Sequence, residues 1–540
     1  MHGLHHGCHP EPARRAVSKG LAVAVAVRPA NDNDHSEIPP PRCAGVGMTA
    51  LSTHSHQGRG TDQGIRVLAL TAALVALVAG ALHAAAPTTS GAKSNAAAFV
   101  RVSPRDPRYF ELSNGRPYIP IGLNMIAPWP GTGWPQMDDW MNRLAAERGN
   151  FIRVWLAAPF FDVEHAKCGE YDAEKAKRID LLLAAARDRG IRVKMCCESF
   201  RQLIEPGKEW TAKPLHHVSK GGTAESIVDF FDGEPSRTQF KKKLAWYAAR
   251  YGDSPTVFGW ELWNEINAVR GGNVMAWTEV MLPELHRLFP KNLAMQSLGS
   301  FDRDSARAMN RRLAVMPGND VAQVHRYLDL GAALEVCKGP VDVLAADAVK
   351  ELLAADPKRP VLLAESGAVE PRHTGPFKLY AKDKDGVILH DVLFAPFFAG
   401  AAGPGHIWHW DHYVAKYNLW WHFGRFAAVV ENLDPPAEGF KILAPEHPGL
   451  RVRILAGRRT TLAWLRDPGS TWQTELADGK PPARLTGQTL ALPAEAGDLA
   501  GAKIRTYDPW TGQWASASLN GRTVRLPEFA RSIVVRIDRP

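Results

Sequence analysis

The chain has 540 residues, 45% hydrophobic and 22% charged, which suits a soluble globular protein built from one large barrel and a smaller module. The formal net charge is +9. Part of that excess lies near the N-terminus, and the body holds no dense Lys/Arg run, which argues against nucleic acid as a partner. The nearest such run, 241–243 (KKK), opens a helical pattern and reads as a solvated helix face.

In chain order, residues 1–65 are rich in His, Pro and Arg without a sustained period and read as a disordered or over-extended N-terminus, with Met1 and Met48 both open as the translation start. Arg66 then precedes small apolar residues over 67–82 and the Ala84-Ala85-Ala86-Pro87 stretch. A positive residue, an apolar core and an Ala-x-Ala site make 66–86 a signal peptide. The run is short of the roughly 20 residues a membrane span needs. The mature chain is therefore expected to have no span and to be secreted or periplasmic, with an uncleaved anchor as the alternative. Export leaves Cys168, Cys196, Cys197 and Cys337 in the mature chain. Four cysteines make no disulfide framework, although Cys168 with Cys196 or Cys197 is an open pairing. No spacing suggests zinc. A linker follows over 87–98.

Residues 108–117 (RYFELSNGRP) predict a hairpin turning at Asn114-Gly115. Strand-like apolar runs come next at 118–124, 151–156, 191–197, 257–263, 293–298, 321–327, 360–365 and 405–410. Amphipathic stretches separate them at 135–148, 173–189, 237–251, 274–289, 341–355 and 418–430, with apolar positions three and four apart, as at Ile179, Leu182, Leu183 and Ala186. Eight strands alternating with helices make an α/β fold, a (β/α)8 TIM barrel over 99–440. A doubly wound sheet would usually carry a Gly-rich turn after its first strand, and 121–125 has none. Over 441–540 the runs shorten and alternate, at 450–455, 460–465, 503–507, 523–526 and 532–537, with turns at Asp467-Pro468-Gly469 and Asn520-Gly521. That texture predicts a small all-β sandwich.

Two barrel runs end in glutamate: VFGWELWNE at Glu265 and PVLLAE at Glu365. An unpaired charge on an apolar strand is costly to desolvate, so a matched pair at strand ends points to chemistry. Catalytic groups of a (β/α)8 barrel sit at the C-terminal strand ends, and paired carboxylates are what glycoside hydrolysis uses. The Trp263-Asn264-Glu265 tip, the Ala364-Glu365-Ser366 tip, His325-x-Tyr327 and Arg153 together resemble clan A of the glycoside hydrolases, in particular family 5 with its cellulases and β-mannanases. The resemblance covers roughly the whole barrel.

It implies a retaining glycosidase acting on a β-linked polysaccharide or oligosaccharide, β-mannan or β-glucan first. Glu265 is then the general acid/base and Glu365 the nucleophile. Arg153 keeps Glu365 ionised, and Tyr327 donates a hydrogen bond to it. Asn264 holds the sugar 2-OH and His325 lines the site. Trp408 and Trp410 alternate in phase on the eighth strand, and the resemblance implies a sugar platform at one of them. Asn124 and Trp129, at and after the end of the first strand, are further sugar-contact candidates. Trp263 suits the core as well as a sugar. Glu198, closing the third strand, reads as a surface salt bridge. Trp510 and Trp514 suit a structural cap better than a glycan site. No metal or organic cofactor is implied, and a monomer is expected. The alternative is a non-catalytic carbohydrate-binding barrel. A Schiff-base enzyme would want a strand-end Lys, and Lys194 lies inside its strand.

Overall fold

The computed structural model describes residues 95–199, 215–269 and 271–540. The expected signal peptide, its preceding segment and most of the linker lie outside the described residues. The expected hairpin is present as Phe110–Leu112 and Pro117–Tyr118, and Val100–Val102 adds a third antiparallel strand. Gly115 takes φ 85° at the turn, a left-handed conformation that glycine adopts without a Cβ penalty. The hairpin plugs the N-terminal end of the barrel, where Phe110 meets Phe258 edge-on at 5.2 Å and Phe151 meets the same ring at 5.1 Å.

The (β/α)8 barrel is built from Gly122–Asn124, Phe151–Trp155, Arg192–Cys196, Val257–Glu261 and Leu293–Met295, paired in parallel in that order, and from the parallel pair Ala322–His325 and Val361–Glu365. Every residue of these strands is buried, as expected for parallel strands covered on both faces. The amide of Asp320 donates to Ala294 O at 2.9 Å, linking the fifth strand to the sixth. The eighth strand is shorter than the sequence predicts. Within 405–410 only a bridge at Ile407 to Ser366 forms, and the chain then winds into a π-helix at Trp410–Ala415. The segment still closes the barrel: His406 donates to Leu363 O at 2.9 Å, and Asn124 donates to Ile407 O at 3.1 Å.

The predicted helices appear at Gly133–Ala146, Ala173–Asp188, Glu234–Tyr251, Val274–Leu288, Val341–Leu353 and Trp421–Val429. Asp172 caps the second by accepting from the amides of Glu174 and Lys175, satisfying donors that a helix start leaves free. The helix Val387–Phe398 has no amphipathic period and is buried on every face. A helix apolar all round belongs between two layers, and here the layers are the barrel and the C-terminal sheet. Trp464 of that sheet lies 6.0 Å from Phe394 and 6.1 Å from Phe398, and Arg466 grips Asp391 of the helix through Nε at 2.8 Å.

The C-terminal region is an antiparallel six-stranded sheet ordered Lys441–Leu443, Arg451–Ala456, Thr460–Arg466, Ser532–Asp538, Lys503–Asp508, Gln513–Ser516. Its period-two pattern divides the faces. Leu462, Trp464 and Val534 join the barrel core, while Ala463, Leu465, Ile533 and Val535 form a second core with Leu490 and Val524 from smaller strands. Trp510 is spent at the junction, its ring tilted at 41° to that of His390 with centroids 4.5 Å apart and its Nε1 donating to Ser532 Oγ. Trp514 packs on Tyr507 and Arg505.

Three other expectations are corrected. The four cysteines among the described residues are all buried thiols. Cys168 faces His216 Nδ1 at 3.5 Å, and Cys196 faces Glu198 O at 3.3 Å, so neither faces the other. Lys243 lies on the inner face of its helix, not in solvent. It bonds Glu164 at 3.1 Å and Glu198 at 3.2 Å. Glu198 is therefore no surface salt bridge but one end of a buried cluster that also includes His216.

Candidate active site

A cavity of about 560 Å3 opens where the barrel strands end. Trp155, Asn264, Glu265, Tyr327, Glu365, Trp408 and Trp410 are among its lining residues. Arg153 and His325 lie beneath, fully buried. The seventh strand ends at Glu365 as the sequence predicts. The fourth ends at Glu261, four residues earlier than expected, and Glu265 follows on a turn with φ 49° and ψ 53°. A non-glycine residue in that region is strained, a feature that clusters at functional sites when the surroundings hold it. Here Ser297 Oγ accepts the Glu265 amide at 3.0 Å, and Asn264 donates its own amide to Glu198 O at 2.7 Å.

Arg153 organises the floor. Its Nε and Nη2 reach the two carboxylate oxygens of Glu261 at 2.8 and 3.0 Å, Nη2 also reaches Asn264 Oδ1 at 2.6 Å, and Nη1 forms a short ion pair with Glu365 Oε1. The other oxygen of Glu365 accepts from the Tyr327 hydroxyl at 2.7 Å. His325 Nδ1 lies 2.8 Å from Glu265 Oε1 and 3.4 Å from Glu365 Oε2. One ligating atom each of Glu265, His325 and Glu365 falls within 4.8 Å of the others. That spacing is small enough for a cation, but the Arg153 guanidinium already places positive charge on Glu365. The arrangement suits carboxyl chemistry better.

The two glutamates are electrostatically unequal. Burial pushes Glu265 far above the usual carboxyl range, and the charge of Glu365 pushes it further. Burial also raises Glu365, but the Arg153 charge and the Tyr327 hydrogen bond pull it back. The pair shares its titration, with the first proton leaving Glu365 and the last held by Glu265. His325 is driven far below its usual value by burial and then by Arg153, so it is neutral. Its Nε2 has no partner among the described residues, and its Nδ1 faces the glutamates.

Sequence reasoning missed Glu261. It lies in the barrel interior between Arg153 and Lys194, whose Nζ is 3.0 Å away. Those two cations overcome its burial and hold it down to about 2. The strand-four alternation points to it, since Trp260 turns outward onto Tyr247 and Phe289 and the next residue of a strand faces the opposite side. Trp155 was also missed. It lines the cavity and packs 5.1 Å from Trp408.

Asn124 is not a sugar contact. Its Nδ2 donates to Ala364 O, His406 O and Ile407 O, and its Oδ1 accepts from Arg153. It is fully buried, so it has nothing left to offer a ligand. Trp408 and Trp410 both line the cavity but not from one strand face, because the chain has left strand geometry by Trp410. Their rings meet edge-to-face at 5.5 Å. Trp129 borders an adjoining cavity, of about 870 Å3, that shares Trp410, Asp411 and His412 with the first. Its Nε1 donates to Asp411 Oδ2 at 2.8 Å. Trp263 belongs to the core, among Phe230, Phe231, Phe240 and Trp277.

Residues 113–373 match the family model described as Cellulase (glycosyl hydrolase family 5). Mannan endo-1,4-beta-mannosidase 3 of Oryza sativa subsp. japonica is 29% identical over 164 residues, covering 27% of this chain and 33% of that protein. The chain thus spans about a third of the length of that curated relative. Among solved structures, a glycoside hydrolase family 5 protein from Bacteroides vulgatus ATCC 8482 superposes with TM-score 0.54 at 14% identity, over 82% of this chain and 92% of that one. A protein described as a glycoside hydrolase superposes with TM-score 0.53 at 14% identity, over 83% and 97%.

Proposed function

We propose that this protein, whose barrel is that of a clan A glycoside hydrolase close to family 5, is a retaining β-glycosidase of the mannanase type. The observation that carries the reading is the approach of Glu265 and Glu365, with carboxylate oxygens within 4.8 Å and surroundings that push their protonation apart. Retaining enzymes hold the two groups about 5–5.5 Å apart and inverting ones about 6.5–9.5 Å apart. In the first step Glu365 attacks the anomeric carbon. The bond to the leaving oxygen breaks, and that oxygen takes the proton of Glu265. The sugar is left as an ester on Glu365. Water then attacks the same carbon, gives its proton to Glu265 and frees Glu365. Arg153 and Tyr327 hold Glu365 ionised and aimed. Asn264, its Oδ1 occupied by Arg153, has its amide N–H groups left for a sugar hydroxyl. Trp408 offers an aromatic face to the sugar.

β-Mannan is the favoured substrate, supported by the name of the rice relative, with β-glucan as the competitor. The reading takes 66–86 as an export signal, 99–440 as the catalytic barrel and 441–540 as an appended sandwich. The test is hydrolysis of β-mannans, β-glucans, xylans and aryl glycosides, with the anomer released followed by proton NMR. The β-anomer forming first on a mannan is expected. The α-anomer first would overturn retention, and sugar binding without turnover of any substrate would favour the carbohydrate-binding barrel.

A further inference from the structure

Away from the glutamates, the helix Val341–Leu353 and the sheet strand Arg451–Ala456 border a second cavity of about 670 Å3. It shares no lining residue with the first. Its charged lining is Lys350, Arg451 and Arg453 against one acid, Glu446. Arg453 is only 9% exposed. Its Nε has no hydrogen-bond partner, and no acid pairs with it, among the described residues. The nearby acids are committed elsewhere. Arg451 takes both oxygens of Asp342 at 2.6 and 2.8 Å, and Arg326 takes Asp347 at 2.6 Å. Lys350 likewise makes no ion pair among the described residues. Partial desolvation, then the charge of Arg453, lowers the Lys350 ammonium from its usual value.

A guanidinium taken out of water without a counter-ion is costly, and a buried donor without a partner calls for a bound group. The planar fork of arginine fits the two oxygens of a carboxylate or phosphate, and a lysine beside it adds a mobile point charge. We propose that Arg453 and Lys350 form an oxyanion-binding site between the barrel and the C-terminal sheet. Its ligand is a phosphate or the carboxylate of an acidic sugar, and the two share the same recognition chemistry.

Isothermal titration of the full chain at low salt with inorganic phosphate, and separately with glucuronate, tests the site. Binding of at least one probe is expected. Lys350→Gln, a change at an exposed position, should weaken it about tenfold, the size of one lost charge-assisted contact, and Arg453→Gln should abolish it. Tighter binding of glucuronate assigns an acidic sugar, and tighter binding of phosphate assigns a free oxyanion. No binding of either probe, or binding that Lys350→Gln leaves unchanged, overturns the proposal. The lysine variant decides if the arginine variant does not fold.

Discussion

Replacing Tyr327 by Phe deletes one hydroxyl and keeps the ring that packs edge-on against His373 at 5.1 Å. The hydroxyl donates at 2.7 Å to Glu365 Oε2, and burial of the tyrosine keeps it protonated. A hydrogen bond to a charged group contributes about 1.5–3 kcal/mol, and one pH unit corresponds to about 1.4 kcal/mol. Its loss should therefore raise the ionisation of Glu365 by about one to two pH units. The sign follows from what the hydroxyl touches: it stabilises the carboxylate, so without it the proton is held to higher pH. The assay is kcat/KM against pH on an aryl mannoside, where the acid limb reports the group that must be ionised in the free enzyme. That limb should move up by about one unit or more, with the alkaline limb moving less. An acid limb that stays in place while activity falls uniformly would refute the claim that Tyr327 sets the charge state of Glu365.

Glu365→Gln should abolish turnover of every substrate while circular dichroism remains that of the folded parent. Glu265→Ala should slow mannan far more than aryl glycosides, whose leaving groups need little protonation; equal losses on both would count against the acid role. Glu265→Gln should raise the melting temperature at neutral pH. The folded state holds this carboxyl above its ordinary 4.5, so ionisation destabilises the fold increasingly as pH rises from about that value. The gain should vanish below it in pH-dependent melting. Glu261 has the opposite sign, held down to about 2. Its contribution is present above the ordinary value and is lost as pH falls towards 2. Glu261→Gln should cost about 3 kcal/mol or more at neutral pH in denaturant unfolding, because Arg153 and Lys194 lose a buried counter-charge.

Much of the architecture was legible from local pattern. The apolar strand runs and the three-four period of the helices depend on which residues must leave water, and the sequence shows those directly. The same holds for the period-two alternation that sorts Trp464 from Leu465 across the C-terminal sheet. The helix Val387–Phe398 escaped because a segment buried on all faces has no period to read. The eighth strand was misjudged because its short ladder is defined by its two neighbours, not by its own residues. Glu265 and Glu365 stood out because a carboxylate at the end of an apolar run has no local explanation.

What the sequence by itself determined was the residue types: two glutamates, a histidine and a tyrosine at strand ends and an arginine within a strand. Only the tertiary structure decided how they divide the work. Arg153 is shared among Glu261, Glu365, Asn264 and Asn124, and that sharing turned Asn124 from a sugar contact into a support. It drew Glu261 into the floor and left Glu265 with the higher proton affinity. The reason is physical. Burial and Coulomb interactions depend on distances across the barrel, between residues as far as 212 positions apart, and no local window of sequence contains those distances.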